Sequence, residues 1–168
     1  MTETVAPSNP ISRLWHSDWF FWLLLSIPAL PMLYDMAISG RFRGVLHESG
    51  EFGARFTIIA LMLTPLVMLF PKVRALRWVM KRRRYIGVAA FGYSAVHTFA
   101  YLVQKGSLSA AMSELAVLGI WTGWVAFLVF IPLALTSNDW SLRAMGPSWK
   151  TLQRLTYVAA IFTALHWY

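Results

Sequence analysis

Residues 71–104 read PKVRALRWVMKRRRYIGVAAFGYSAVHTFAYLVQ, a basic segment followed directly by an apolar one. The basic part, residues 71–84, carries seven of the fifteen Lys and Arg residues of the chain and no acidic residue. From Tyr85 the sequence continues without a charged residue to position 104, about the length that an α-helix needs to cross a bilayer. This boundary predicts a membrane-spanning helix over 85–104 that starts at a cytoplasmic loop.

The composition predicts several more such helices. Of the 168 residues, 58% are hydrophobic and 13% are charged, whereas soluble domains have about 45–50% apolar and about 25% charged residues. The apolar runs predict spans at 19–38, 52–71, 85–104, 114–136 and 152–168, the first of them kinked at Pro28 and Pro31. We therefore expect an all-α, polytopic membrane helical bundle of about five transmembrane helices, without internal repeats or a second domain.

The positions of the charges predict the orientation of the bundle. Basic residues are concentrated at 71–84 and in the connection between the fourth and fifth spans, so both segments are expected in the cytoplasm. Residues 1–18 then form a cytoplasmic N-terminal segment, and 19–168 form a single membrane domain. The net charge of +8 reflects this topology and contact with anionic lipid. A second interpretation is that the basic run also binds an acidic redox partner or a flavin phosphate; no nucleic-acid-binding motif accompanies it.

Several kinds of chemistry are excluded by the residues that the chain lacks. The absence of cysteine excludes disulfides, thiolate metal sites, iron–sulfur clusters and covalent c-type haem attachment. The acidic residues fall at span ends or in loops, and no nucleophile triad or glycine-rich phosphate loop is present. We therefore assign no catalytic residue.

Two histidines fall inside predicted spans at matching positions. His97 lies 13 residues after Arg84, and His166 lies 12 residues after Arg154. At 1.5 Å per residue both imidazoles are expected roughly 18–20 Å from the cytoplasmic boundary. Two level imidazoles on parallel helices suit bis-histidine ligation of a b-type haem, although each could instead hydrogen-bond a neighbouring helix.

Ser94 and Arg55 are further candidates for a site at these histidines. Ser94 is one of the small residues that leave room for a macrocycle beside His97. Arg55, near the outer start of the second span, is a candidate to meet a haem propionate or, alternatively, to lie at the interface as a snorkelling side chain. His16 and His47 fall at or outside the interface and are expected to have no ligand role.

The sequence around His97 resembles a known family. Residues 83–97, RRYIGVAAFGYSAVH, followed by Tyr101, resemble the third span of the ferric-reductase-like transmembrane family. Within it they are most similar to the haem-binding membrane subunit of bacterial protein-methionine-sulfoxide reductase systems. Residues 49–66, 133–137 and 149–167 are similar to the second, fourth and fifth spans of that family, so the resemblance covers about residues 45–168.

The resemblance implies an electron-transfer subunit of the bacterial inner membrane rather than a catalyst. Electrons would pass from a cytosolic flavin reductase or a quinol, through haem, to a periplasmic molybdenum-containing reductase. His97 and His166 match two haem-ligand positions of the family, whereas Gln153 stands where relatives have a third histidine. This departure argues for one haem b rather than two, with FMN or a quinone near Arg83 and Arg84 bridging the remaining distance.

Two other functions remain open from the sequence. Two features modestly favour a cofactor-free membrane scaffold or assembly protein that has kept the fold. One is Gln153, and the other is a chain about one span shorter than the family's usual six. A small transporter or channel is less favoured, because transporters tend to contain inverted repeats with broken helices.

Overall fold

The computed structural model describes residues 17–40 and 42–168, and this part of the chain contains helices and turns but no strand. The first part holds α1 (Asp18–Ser26), α2 (Ala29–Tyr34) and a π-helix (Asp35–Ser39). The second part holds α3 (Phe42–Leu69), α4 (Arg74–Lys81), α5 (Arg83–Lys105), α6 (Leu108–Met112), α7 (Leu118–Leu135), α8 (Asp139–Met145), α9 (Pro147–Gln153) and α10 (Leu155–Trp167). The expected all-α class is confirmed.

The first predicted span is a broken helix. Helix α1 and the α2–π-helix segment meet at an angle of 55°, and Pro28 is the N-cap residue of α2. Proline has no N–H and its ring displaces the preceding turn, which breaks the helix as the sequence predicted. The Tyr93 hydroxyl donates to the Leu25 carbonyl at 2.9 Å. A neighbouring helix thus satisfies a carbonyl at the break, which an apolar surrounding requires.

Helix α3 starts ten residues earlier than predicted, at Phe42 instead of 52. The charged residues in 42–51 suggested a loop, yet the buried face of the helix continues through them with Val45 and Ser49. Both side chains are essentially inaccessible, so packing on one face outweighs polarity on the other. The extra turns bring residues 43–50 beside the end of α5.

Three helices are long and apolar enough to cross a membrane, namely α3, α5 and α7, and the broken helix is a fourth candidate in the described part of the chain. Helix α10 falls in the range predicted for a fifth span, but it has 13 residues. At 1.5 Å per residue that is about 20 Å, less than the roughly 30 Å of a bilayer core.

The helices form two closely packed pairs, α3 with α5 and α7 with α10. Small residues at the interfaces let the backbones approach, as is common in membrane helices. The buried small residues include Gly53 and Ala60 on α3, Ala90 on α5, Thr122 on α7 and Ala159 on α10.

The outer surface of the bundle is apolar. Large side chains such as Leu23, Ile58, Met68, Leu128 and Ile161 are each at least 59% exposed. Exposed apolar surface on this scale indicates contact with a membrane.

The basic segment is a short amphipathic helix rather than a loop. Helix α4 carries Arg74, Arg77 and Lys81, while Trp78 packs against the apolar cluster between α1, α3 and α5. Arg82, next to it, is 7% exposed and its guanidinium lies 4.4 Å from the Trp78 ring. The segment therefore has the form of a helix lying at a membrane surface.

Candidate functional site

The two histidines that the sequence places in predicted spans face each other across the seam between the helix pairs. His97 of α5 and His166 of α10 have ring centroids 5.7 Å apart, with ring planes at 85°. The sequence predicts that the two imidazoles lie at the same depth, and in the structure the two rings also lie next to each other. Both rings line one cavity of about 450 Å³, within the size range of ligand pockets.

Each imidazole is held by a backbone carbonyl of the other helix in its own pair. Nδ1 of His97 lies 2.8 Å from the Leu46 carbonyl oxygen on α3, and Nδ1 of His166 contacts the Gly119 carbonyl oxygen on α7. A carbonyl can only accept, so Nδ1 carries the hydrogen and donates it. In each neutral ring Nε2 then keeps its lone pair, and this arrangement is typical of histidines that bind a metal.

A glycine lies against each ring. A Cβ atom on Gly50 would be 2.7 Å from Nδ1 of His97, and one on Gly123 would be 2.6 Å from Nδ1 of His166. Real Cβ atoms essentially never come so close, so any larger residue would displace the imidazole. We call these four residues, His97, His166, Gly50 and Gly123, the cradle.

The cradle is built twice from the same sequence pattern. Residues 90–97, AFGYSAVH, align with residues 159–166, AAIFTALH. Ser94 and Thr163, each three residues before the histidine, donate to the carbonyls of Ala90 and Ala159, both at 2.8 Å. The expectation of no internal repeat did not extend to this local correspondence, in which Ala90, Ala95 and His97 have identical counterparts.

The repeat extends to the partner helices. Ser49–Gly50 on α3 corresponds to Thr122–Gly123 on α7. Both hydroxyl residues are completely buried and donate to the carbonyl four residues earlier, that of Val45 or Leu118. Each of the helix pairs α3–α5 and α7–α10, which we call units, thus presents one histidine against a glycine of the other helix in the pair.

The cavity is apolar at one end and polar at the other. Ala126 and Phe130, both buried, and Phe127 form part of its wall. At the opposite end lie Arg43, His47, Tyr101 and Trp167, which we call the mouth. Arg43, His47 and Trp167 are exposed, so the cavity opens on this side.

The donor set restricts which metal group fits this cavity. The described residues contain no cluster of three or more His, Cys, Asp or Glu side chains able to hold a metal ion. Two imidazole nitrogens alone are too few for a bare ion. They do suit a metal that a planar macrocycle already holds in four positions, because two axial sites then remain. The glycine-lined cradle and the aromatic wall provide the flat apolar space that haem needs.

The other predicted site residues lie in different places. Ser94 lines the cavity beside His97. Arg55 does not line it: its side chain is 54% exposed and pairs with Glu51. Arg83 and Arg84 lie at the far end of α5, where Arg83 donates to the Thr64 hydroxyl at 3.4 Å.

Gln153 is engaged with the end of α7. Its Nε2 donates to the Leu133 carbonyl and to the Thr136 hydroxyl oxygen, both at 3.2 Å. The Trp149 indole donates to the Thr136 carbonyl at 2.8 Å. Gln153 thus joins α9 to the end of α7 through one backbone carbonyl and one side-chain hydroxyl.

The sequence patterns did not predict a role at the cavity for four of its residues. They give no role to Gly123 or Arg43, they include Gly50 only within a family motif, and they predict no ligand role for His47. Each glycine lies four residues after the residue whose carbonyl accepts from the histidine. That relationship can be seen only when it is known which helices are paired. His16 lies outside the described residues.

Comparison with known proteins identifies the family of the chain. Residues 49–164 match the family described as ferric reductase like transmembrane component. Two relatives are each named protein-methionine-sulfoxide reductase heme-binding subunit MsrQ. The Brucella anthropi protein is 32% identical over 161 residues, and the Rhizobium meliloti protein is 36% identical over 158 residues. In both cases the alignment covers 89% of this chain and 70% of the relative.

No solved structure matches the chain. The family match includes His97 and ends two residues before His166. With its candidate spans, the chain is a multi-pass membrane protein. It belongs to the ferric reductase like transmembrane component family.

Proposed function

We propose that this chain binds one b-type haem between His97 and His166 and serves as the electron-transfer subunit of a methionine-sulfoxide reductase system. The observation that carries the proposal is the pair of tethered imidazoles. Nδ1 of each donates to a carbonyl, which leaves two Nε2 lone pairs in one cavity. The relatives named as heme-binding subunits support it.

The residues of the chain would control the properties of such a group. Bound haem supplies a one-electron iron couple. The carbonyls of Leu46 and Gly119 fix the ring orientation and increase the basicity of the imidazoles. Phe127 and Phe130 would exclude water at the apolar end of the cavity, and this would affect the reduction potential of the haem iron.

Gln153 supports a count of one haem. Its amide nitrogen is used by Leu133 and Thr136, and an amide is in any case a poor ligand for iron. An inner haem would therefore lack the histidine that the family resemblance implies at this position. We infer that the chain carries a single haem at the cradle.

We further propose the orientation predicted from the charges. The N-terminus lies in the cytoplasm of a bacterial inner membrane, and α9 with α10 forms the fifth span. The cradle then lies in the outer half of the bilayer, about 20 Å along α5 from Arg84.

The acceptor is a periplasmic molybdenum-containing reductase, and the donor is a cytosolic flavin reductase or a quinol. FMN or a quinone at Arg83 and Arg84 would shorten the electron path.

The test is the haem content and spectrum of the purified protein. We expect one haem per chain by pyridine haemochrome assay and a low-spin b-type difference spectrum. His97→Ala and His166→Ala should each remove the low-spin signal, whereas Gln104→Ala, an exposed change on α5, should preserve it. Retention of the signal in both histidine variants would refute the assignment. Absence of haem from the unmodified protein, despite ample haem supply, would instead favour the cofactor-free scaffold.

A further inference from the structure

The mouth of the cavity departs from the repeat in a way that indicates an anion-binding role. On α3, Arg43, His47, Gly50 and Ala54 lie on one helix face and all line the cavity. The positions equivalent to Arg43 and His47 in the second unit are Ala116 and Ile120. A histidine beside a glycine thus occurs in both helix pairs, but Arg43 and His47 of the mouth have no polar counterpart on the α7 side.

Arg43 is the principal charge of this cavity. Among the lining residues in the described part of the chain it is the one Lys or Arg, and none is Asp or Glu. The nearby cations on α3 and α5 are occupied, since Arg55 pairs with Glu51 and Lys105 pairs with Glu114. An anionic group entering the mouth would therefore meet a guanidinium without an acidic competitor among the lining side chains.

The distance along α3 suits an amphipathic ligand. Arg43 precedes Gly50 by seven residues, about 10 Å along the helix axis, and Gly50 lies against the His97 ring. A planar group centred between the two imidazoles would place one edge towards the mouth and the other among Phe127 and Phe130. Carboxylates on that first edge would reach Arg43, which can bind a carboxylate through two parallel N–H donors.

We propose that Arg43, assisted by His47, binds the carboxylates of a planar amphipathic ring and so fixes which edge of haem faces the mouth. The proposal rests on the proposed function, because it places haem in the cradle. It assigns to Arg43 the contact expected from the sequence for Arg55. His47, four residues after Arg43, adds an imidazole N–H donor on the same face.

The test compares haem b with its dimethyl ester, in which both carboxylates are masked. The full-length chain is prepared without haem and titrated with each compound in detergent, with the low-spin absorbance as readout. Arg43→Gln should weaken binding of haem b about ten- to hundred-fold, as expected for loss of a hydrogen bond between charged groups. It should leave binding of the ester unchanged, and Arg43→Lys should recover part of the affinity for haem b.

Arg55→Gln is the matched control, because it removes an exposed arginine from the same helix and should affect neither titration. His47→Gln should weaken haem b binding by a smaller factor than Arg43→Gln. Equal losses for haem b and the ester in Arg43→Gln, or an equal loss in Arg55→Gln, would overturn the proposal. Failure of the unmodified chain to bind either compound would instead refute the haem site itself.

Discussion

Gly50 lies so close to His97 that a single added carbon, the Cβ of alanine, would be 2.7 Å from Nδ1 of the imidazole. The same nitrogen donates to the Leu46 carbonyl, one helical turn before Gly50. The glycine thus provides the space in which this hydrogen bond can form. It is a positioning residue for the imidazole.

Gly50→Ala should therefore displace His97 and lower haem affinity about 10–100-fold, the usual effect of disturbing the partner of a metal-binding histidine. Gly44→Ala on the same helix is the control, because a Cβ there would meet no atom within 4 Å. That variant should bind haem normally and be as stable as the parent or slightly more stable. Equal haem affinity in both variants would show that the close approach has no functional role.

Gly123→Ala should have an effect of similar size, because the second unit repeats the first. Its Cβ would lie 2.6 Å from Nδ1 of His166, whereas one on Gly119 would make an ordinary contact of 3.6 Å. Gly119→Ala is accordingly the matched control. Haem titration of the two variants checks the prediction, and a normal titration of Gly123→Ala would contradict it.

The perpendicular rings predict a distinctive spectrum. With the His97 and His166 planes at 85°, a low-spin ferric haem between them should give one strongly anisotropic signal in electron paramagnetic resonance. Parallel rings would instead give a resolved rhombic signal. Low-temperature spectra of the oxidised protein distinguish the two, and a rhombic signal would show that binding reorients a ring.

Glu114, between α6 and α7, should titrate below the usual range. The Lys105 ammonium and then the Tyr101 hydroxyl hold the pKa of this carboxyl below its ordinary value. Because the pKa is lowered in the folded chain, the contacts are fully present at neutral pH and are lost as pH falls through the lowered pKa. Carbon-13 NMR of labelled glutamate measures it, and Lys105→Gln should raise it. An unshifted titration in the parent would contradict this assignment.

The sequence was sufficient for the helical class and for the pairing of the histidines, because basic loops and helical rise determine depth. It was insufficient for the start of α3, where charged residues on one face concealed a buried face at Val45 and Ser49. The role of Gly50 and Gly123 depends on which helices are neighbours, and no local pattern contains that information. Arg55 was placed correctly on the second span, but it pairs with Glu51 and does not line the cavity.

The division of the bundle into two closely packed helix pairs has a consequence for its stability. Each histidine is tethered within its own pair, so a group bound by both would join the two halves as a non-covalent crosslink. Ligand that binds only the assembled halves adds its binding free energy to their association. Final folding of the protein would then depend on binding of the haem, because its iron would hold the two helix pairs together.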